Sequence, residues 1–551
     1  MFHCLKSSRK RLGVSIALGI VALFVGLNYF FSEYLRELFV SPNDTLTAFV
    51  NKEPLSSMDH QRVFAFKELS FTSAIESGNL ADVRFIGQNH YSLMIGSDPF
   101  TESEGKEFRN WFYFKAKAVK GFPKTKLSIH NMQYNWSMWK HGLTHVYRSN
   151  TKTKGKWKLY TEKPVKLYMK SKKLSLSFVY NFEQGEEVEF ALTFPYTMNR
   201  YQKFIEKYQK EVQEHPLINF QRENLVRSNL NNTVEALFFT SRTNSTSATF
   251  PLIKGAFPDR STRIPYKKSR CTVVVSSRSH PAETAGSFML EGFLDYFKAN
   301  NTDSDHFFKR CNLIVIPILN PDGVRKGLTR TDNNGINLNR VYKTADTTTP
   351  SIFALKRLIK KVSKRSKQFF FFDLHSHFTK RGLFMFGNPL NDSSYKKTLL
   401  FPFIFADKEK EVNLGVSTFG SGKNEHTSRK QVYQVTKSSN VFTIESNYWG
   451  NIESPSKLKD GKLMQTNLRV VKDFASFYKM TDFRRFGSNL ALSLVTYFKE
   501  FTGAKKLKDN QFSNPIDKYY KRHKRRKAKK SKKPKKVLNK QKDKTSGQFL
   551  Y

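Results

Sequence analysis

A histidine and a glutamate lie three positions apart in the segment SSRSHPAETAGSF, where they could bind a metal ion. His280 and Glu283 follow the β-branched run CTVVV and precede apolar residues at helical spacing. An imidazole and a carboxylate are both zinc ligands, but a catalytic zinc site normally takes three ligands from the protein. The pair alone is also typical of a polar turn between a strand and a helix, so metal binding requires a third ligand from another segment.

The segment FFFFDLHSHF supplies candidates for that third ligand. Asp373, His375 and His377 follow an apolar run that is typical of a buried strand. If the strand continues, His375 and His377 point to the same side, because side chains two positions apart share one face of a strand. One of the two histidines is enough to complete the set, so the two segments together favour a zinc site.

Two further segments carry groups that hydrolysis at a metal site would need. A water activated by a metal needs a base, and a tetrahedral intermediate needs a cation. The run VFTIESNYWG contains Glu445, which could be that base or a surface residue after a strand. The segment LTRTDNNGINLNR contains Arg330, Asn339 and Arg340, and an Asn–Arg pair can bind a carboxylate through the guanidinium fork. In a chain with 94 lysines and arginines, only the order and spacing of such a set are informative.

The elements that would position these residues belong to a predicted α/β domain at 206–503. Continuous apolar runs such as NLIVIPIL and QFFFFDL alternate there with helical patterns, which indicates a sheet covered by helices. Residues 63–205 instead show apolar residues at every second position in runs separated by turns, which predicts an antiparallel β-sandwich. Residues 41–62 are interpreted as a linker before it.

The first 40 residues contain an apolar segment. About 20 uncharged residues at 12–31 follow a basic lead, and this length suffices to span a bilayer. We expect residues 1–40 to form a single-pass N-terminal membrane anchor, with a cleaved signal peptide as the alternative. The positive-inside rule would place the rest of the chain on the lumenal or extracellular side.

The chain is strongly basic, which points to an acidic partner. It contains 94 Lys and Arg against 46 Asp and Glu, a formal charge of +48. The lysine-rich residues 504–551 are typical of a disordered polybasic tail. Acidic proteins, anionic membranes and nucleic acids all fit this charge. Nucleic acid is disfavoured because the basic tail lacks the interleaved aromatic residues of a stacking platform.

The series HPAET, NPDGV, LTRTDNNGINLNR, DLHSH and FTIES resembles the zinc carboxypeptidase family, and within it the cytosolic carboxypeptidase branch that includes the tubulin deglutamylases. The segments NWFYFKAKAV and TFPYTMNRYQKFI are similar to an N-terminal domain that this branch has and other carboxypeptidases lack. The resemblance covers about residues 65–480. It implies a carboxypeptidase-type mixed sheet flanked by helices, preceded by the β-sandwich and the N-terminal transmembrane helix.

The resemblance also implies a role for each candidate residue. His280, Glu283 and His375 would bind one Zn²⁺ per catalytic domain. Glu445 would be the general base that activates water at the zinc and later protonates the leaving amine. The remaining site residues would be Arg330, which would stabilise the oxyanion, and Asn339 and Arg340, which would bind the terminal carboxylate of the substrate.

The segment KNEHTSRKQVYQV resembles the part of the branch that precedes the catalytic glutamate. Its Arg429 lies 16 residues before Glu445, as in the branch, and would face the side chain of the residue that is removed. A buried guanidinium pairs with a carboxylate, so glutamate is the expected leaving residue. The sequence departs from the branch at Ala282, Ser376, Asn337 and His426, the last close to the specificity arginine.

The leading hypothesis is therefore a membrane-anchored zinc metallocarboxypeptidase that removes C-terminal glutamate from acidic protein tails. Polyglutamylated tubulin is the substrate that the resemblance implies if the domain faces the cytosol, which conflicts with the positive-inside rule. A catalytically weak homologue that binds acidic tails or polyanions is the alternative. The complete set of ligands and base argues against that alternative.

Overall fold

The structure is a computed structural model that describes residues 62–531, apart from internal gaps at 102–106, 134–143, 162–165, 171–172, 244–248, 250–252, 254–255, 258–265, 267–269, 300, 421, 423, 451–476 and 502–509. The predicted anchor at 12–31 lies outside the described residues, as does the predicted linker up to residue 61. Within the described ranges, no helix combines the length and the apolar character that crossing a bilayer requires.

The alternating residues of the N-terminal region form two sheets. The first has the strand order β1 (Val63–Ala65), β2 (Leu69–Thr72), β5 (Tyr113–Ala118), β11 (Glu187–Ala191), β7 (Val146–Ser149) and β8 (Lys158–Leu159). The second has the order β3 (Asp82–Phe85), β4 (His90–Met94), β6 (Phe122–Gln133), β10 (Lys173–Phe182) and β9 (Lys166–Lys170). We call these eleven strands the β domain.

Aromatic side chains join the two sheets of the β domain face to face. The rings of Phe71 and Tyr91 lie 5.1 Å apart, and those of Phe178 and Phe190 lie 5.2 Å apart, each pair with one ring from either sheet. One strand pair departs from the predicted antiparallel sandwich, because β4 and β6 run parallel. The chain between them passes through β5 in the other sheet, so β6 re-enters in the same direction as β4.

The largest sheet carries the predicted site. Its eight strands have the order β12 (Ile218–Arg227), β13 (Thr233–Ser241), β15 (Cys311–Ile316), β14 (Cys271–Ser277), β16 (Gln368–His377), β19 (Asn440–Asn447), β17 (Leu383–Gly387) and β18 (Thr418–Phe419). The central strands β15, β14, β16 and β19 are parallel, and antiparallel pairs lie on both sides of them. This mixed sheet confirms the predicted α/β fold.

Helices cover both faces of this sheet, which explains its continuous apolar runs. The helices are α1 (Met198–Gln213), α2 (Ala285–Ala299), α3 (Asn301–Phe308), α4 (Pro321–Lys326), α5 (Pro350–Ser363), α6 (Tyr395–Lys408), α7 (Ser428–Thr436), α8 (Met480–Glu500) and α9 (Ser513–Ser531), with a 3₁₀ turn at Leu338–Arg340. Phe370 and Phe372 of β16 pack in one core with α2, α6 and α8, while Phe371 packs in the other with α5 and α7. Side chains on both faces are therefore buried.

Part of the predicted disordered tail is helical, so the prediction of disorder is wrong for residues 513–531. Phe512, Ile516 and Tyr520 recur at a spacing of four, and all three are buried. The ring of Tyr520 stacks on Tyr395 of α6 with the centroids 4.0 Å apart. The lysine content of the segment conceals this short apolar stripe, which anchors α9 to the α/β domain.

Candidate metal centre and active site

The proposed metal ligands of the first segment lie on a turn at the carboxyl end of β14. Arg278 adopts a φ of 57° at the start of this turn and is buried. Its guanidinium donates to the carbonyls of Pro281 and Tyr196, at 3.0 Å each, and to the Ser287 hydroxyl at 3.0 Å. The guanidinium therefore connects the turn both to the segment between β11 and α1, which contains Tyr196, and to the start of α2. These bonds fix the backbone that carries His280.

Helix α2 begins close to the sheet, which brings Glu283 near β16. A Cβ on Gly286 would lie 2.5 Å from the Ser277 hydroxyl and 3.1 Å from the Leu374 carbonyl, so only glycine allows this approach. Ala282 does not adopt a positive φ, so its replacement of the family's glycine brings no backbone strain. The turn thus delivers the carboxylate of Glu283 to the strand that carries His375.

Three buried side chains meet at this edge of the sheet. Nδ1 of His280 lies 2.6 Å from one carboxylate oxygen of Glu283, and Nδ1 of His375 lies 2.8 Å from the other. One donor atom from each residue lies within 4.8 Å of the others. Two imidazoles and a carboxylate converging on one point form a donor set that suits zinc. The structure brings the three predicted ligands together.

Each histidine uses its other ring nitrogen to contact an oxygen. Nε2 of His280 lies 3.1 Å from the Asn337 side-chain oxygen, and Nε2 of His375 lies 2.8 Å from Asp373. This arrangement leaves Nδ1 of both rings facing the common centre. Hydrogen-bond partners on the far nitrogen orient metal-binding histidines in the same way. Burial lowers the pKa of His280 to about 4, so its ring is neutral. Asn337, which stands where the sequences of the branch have an aspartate, supplies the oxygen that His280 contacts.

Glu445 lies beside the donor set at the same level of the sheet. It is the register partner of His375 in the parallel pair β16–β19. Its Oε2 is buried and has no hydrogen-bond partner among the described residues. Burial raises the pKa of Glu445 to about 7, which favours the reversible proton transfer that a general base performs.

The predicted substrate-binding groups surround the same edge. Asn339 is buried, with its amide nitrogen 3.3 Å from Nε2 of His375 and its oxygen accepting from the backbone of Ser428 at 2.8 Å. Arg340 donates to the Asn339 carbonyl at 2.9 Å, and burial lowers its pKa to about 10. The guanidinium of Arg330 lies 5.6 Å from the centre of the Phe108 ring. Its charge also lowers the pKa of Arg340, after burial, so the two cations lie near each other.

Arg429 lies in the first turn of α7 and is 9% exposed. Its Nη1 donates to the Gly387 carbonyl and to the Asn388 side-chain oxygen, at 2.8 Å each. Burial lowers its pKa to about 10. Among the residues that the structure describes, no carboxylate forms an ion pair with it, although the charge of Glu425, which binds Lys430, partly counteracts the lowering of its pKa. The guanidinium is therefore a buried cation whose two visible partners are neutral.

The roles of several residues at the site are not evident from the sequence alone. Lys380 lies over the Phe386 ring at 4.5 Å, and the charge of Glu445 counteracts the lowering of its pKa by burial. Asp373 is the partner of His375 rather than a ligand. His377 instead accepts the backbone N–H of Lys380 at 3.0 Å, which supports the turn after β16. Nothing in the spacing of DLHSH distinguishes these roles, although the Asp-x-His pattern itself is visible.

Comparisons with known proteins identify relatives of both domains. The family model described as zinc carboxypeptidase matches residues 205–462, and the one described as cytosolic carboxypeptidase N-terminal domain matches residues 71–194. Cytosolic carboxypeptidase 6 of Mus musculus is 25% identical over 426 residues, covering 75% of this chain and 74% of that protein. Cytosolic carboxypeptidase-like protein 5 of Homo sapiens is 29% identical over 328 residues, covering 53% of this chain and 37% of that protein.

The fold has counterparts among solved structures. The crystal structure of a metallo-carboxypeptidase from Burkholderia cenocepacia has a TM-score of 0.59 and 17% identity, and covers 78% of this chain and 98% of that chain. The fold and the site together define a metallocarboxypeptidase, a peptidase of the hydrolase class. The two family matches together span more than half of the chain, which belongs to the zinc carboxypeptidase family and, within it, to the cytosolic carboxypeptidases.

The predicted membrane localisation is wrong. The relatives are named cytosolic carboxypeptidases, and in the described part of the chain no helix is long and apolar enough to cross a membrane. The segment 12–31, on which the prediction depended, lies outside the described residues.

Proposed function

We propose that this protein is a zinc-dependent carboxypeptidase that removes C-terminal glutamate from acidic protein tails. The buried Arg429 carries this proposal, because its guanidinium faces only neutral acceptors among the described residues. A glutamate side chain in the pocket would supply the missing carboxylate, whereas an apolar or basic side chain would leave the charge unpaired. Tails of the tubulin type are the acidic substrates that this preference fits.

His280, Glu283 and His375 fit a zinc ion, since their donor atoms converge and the far ring nitrogen of each histidine is already bonded. When bound there, zinc would supply a Lewis acid that polarises the scissile carbonyl and makes water more acidic. The chain's own contribution is to hold the two imidazoles and the carboxylate in place before the ion arrives.

The remaining steps follow from the positions of the chain's other residues. Glu445 would accept a proton from the attacking water at its unpartnered Oε2 and pass it to the leaving amine. Arg330 would stabilise negative charge on the scissile oxygen. Asn339 and Arg340 would bind the terminal carboxylate, which restricts cleavage to the end of a chain.

The test uses the full chain, loaded with zinc, and a peptide that ends in several glutamates. We expect release of free glutamate that a chelator abolishes and added zinc restores. The same peptide with a C-terminal amide should not be cleaved, because it lacks the carboxylate for Arg340. Absence of glutamate release by the zinc-loaded wild-type protein would refute the proposed function and favour a protein that only binds acidic tails.

A further inference from the structure

Helix α9 presents a face rich in cations. Lys518, Lys521, Arg522, Arg525 and Arg526 are exposed, and we call them the basic face. Residues three or four apart are neighbours on a helix, and like charges at that spacing destabilise it. Asp517 of α9 binds Lys396, and Asp392 binds Lys524 of α9, so neither of these acids pairs with the basic face. The helix therefore keeps a repulsive arrangement that a polyanion would relieve.

The opposite side of α9 contacts the wall of the proposed side-chain pocket. Tyr519 packs edge-on against Phe419, with the centroids 6.1 Å apart. Phe419 of β18 pairs with Gly387 of β17, and a Cβ on Gly387 would lie 2.3 Å from its ring. The carbonyl of Gly387 is the acceptor for Arg429. Two packed side chains thus connect the basic helix to the residue that faces the cleaved side chain.

We propose that the basic face is a docking surface for the acidic protein chain whose end enters the active site. The proposal rests on the proposed function, and adds to it a second contact that lies outside the catalytic cleft. Charge complementarity and the position of α9 beside the pocket support an acidic polypeptide. Tyr519 and Tyr520 turn inward, so the exposed face lacks the aromatic rings on which single-stranded nucleic acid stacks.

A pair of substrates and a pair of variants test the docking surface. One substrate is a blocked glutamyl dipeptide that reaches only the cleft, and the other is a long glutamate-rich peptide with the same end. The test variant changes Lys521, Arg522, Arg525 and Arg526 to Gln. The control variant removes the same charge from the exposed Lys360, Lys361, Lys364 and Lys367, at the end of α5 and in the loop after it.

We expect the α9 variant to raise KM for the long peptide about tenfold, with kcat unchanged and the dipeptide unaffected. The control variant should leave all four constants within about twofold. Equal effects of both variants would show a contribution of net charge only and overturn the proposal. Loss of RNA or anionic-vesicle binding without a change in KM would instead assign the basic face to another partner. Failure of the proposed function is separate, because it would abolish dipeptide cleavage by the wild-type protein.

A second inference concerns Asp98 of the β domain, which is 1% exposed. Its carboxylate accepts the backbone N–H groups of Thr329, Arg330 and Thr331, at 2.7 Å each, and the Thr331 hydroxyl at 3.1 Å. The carboxylate thus accepts four hydrogen bonds, and hydrogen bonds to a charged acceptor are stronger than those between neutral groups. The β domain therefore holds the loop that carries the proposed oxyanion arginine.

Two more contacts extend this connection to the active site. Phe108 lies in the segment that leads into β5. The centre of its ring is 5.6 Å from the Arg330 guanidinium. The Thr329 carbonyl accepts the N–H of Ala282 at 3.2 Å, between the two metal ligands of the first segment. The loop thus touches both the β domain and the metal-binding turn, so a shift of its backbone would move Arg330 relative to the donor set.

We infer that Asp98 is a positioning residue for Arg330, which gives the β domain a direct part in the reaction. The variant Asp98→Asn keeps the shape of the side chain but turns an amide towards N–H donors. We expect kcat for the dipeptide to fall about 10- to 100-fold with KM within twofold, because Arg330 acts on the charge that develops in the transition state. Asn79→Ala is the matched control, since Asn79 bonds the carbonyl of Gly327 in the same interface at 3.1 Å.

A double-mutant cycle separates positioning from general stability. In an Arg330→Ala background, Asp98→Asn should lower kcat by less than about twofold further, because its effect acts through Arg330. Independent, multiplicative losses would overturn the inference, as would an equal loss of kcat in Asn79→Ala. If Asp98→Asn fails to fold, Thr331→Val removes one of the four donors and should show a smaller loss of kcat with the same dependence on Arg330.

Discussion

Glu445 and His375 are register partners on the parallel strands β19 and β16, so the proposed base and one proposed metal ligand leave the sheet side by side. The carboxyl ends of parallel strands gather at one edge, which is where ligands bind in open α/β sheets. The turn after β14 reaches the same edge and brings the other two donors. The sheet order, rather than any local motif, therefore assembles the site.

The first prediction concerns the base. Glu445→Gln should lower kcat by about 10³-fold, since the amide cannot accept the proton from water. Zinc content, measured by elemental analysis, should stay at the wild-type value because Glu445 lies outside the donor set. Glu206→Gln, on the exposed side of α1, serves as the control and should retain full activity. Wild-type kcat in Glu445→Gln would exclude Glu445 as the base.

The second prediction concerns the specificity pocket. Arg429→Leu should lower kcat/KM for C-terminal glutamate by about 100-fold, because a substrate carboxylate would lose its buried partner. Release of C-terminal leucine should fall less or rise. Arg429→Lys keeps the charge but cannot bind a carboxylate through two nitrogens while also donating to Gly387 and Asn388, so it should recover only part of the activity. Equal losses for glutamate and leucine would remove Arg429 from the pocket.

The third prediction concerns the outer partner of a ligand. Asp373 is fully buried, accepts from the hydroxyls of Ser276 and Ser428, and lies 2.8 Å from Nε2 of His375. Asp373→Asn should weaken zinc binding about 10- to 100-fold, measured by competition with a chromogenic chelator. The chelator should also lower the melting temperature of the wild-type protein, because a bound ion stabilises the folded state. Unchanged zinc affinity in Asp373→Asn would contradict this role.

The candidate residues of the site could be identified from the sequence because they lie in short ordered motifs. The proposed ligands and base stand in HPAET, DLHSH and FTIES, and the structure places them at one edge of the sheet. The sequence does not show which tertiary contacts form between segments that are far apart along the chain. Asp98 lies more than 200 positions from Arg330, and no spacing rule connects a turn in one domain to a loop in another.

Two further predictions from the sequence are wrong because packing decides the structure at these places. The lysine content of 504–551 predicts disorder, but Phe512, Ile516 and Tyr520 are buried, and Tyr520 stacks on Tyr395 of α6. In the β domain, alternation identified the strands and their buried faces. It could not reveal that β4 and β6 run parallel, because the direction of pairing depends on the route of the connecting chain.

The last prediction concerns the pH dependence of stability. His145 is completely buried in the β domain, its ring stacks on Tyr160 with centroids 4.5 Å apart, and neither ring nitrogen has a hydrogen-bond partner among the described residues. Burial lowers its pKa to about 3, far below that of an unfolded histidine. Above about pH 6.5 the ring of His145 is neutral in both the folded and the unfolded chain. As the pH falls from about 6.5 towards 3, the free energy of unfolding decreases, because only the unfolded chain takes up the proton.

Between pH 7 and pH 5 the loss due to His145 should be about 2 kcal/mol in the free energy of unfolding. His145→Phe cannot be protonated and should remove this part of the pH dependence, measured by urea unfolding at both values. The exposed His130→Gln is the control and should keep the wild-type slope. If His145→Phe loses as much stability as the wild-type protein between pH 7 and pH 5, the buried ring of His145 is not the source of acid sensitivity in the β domain.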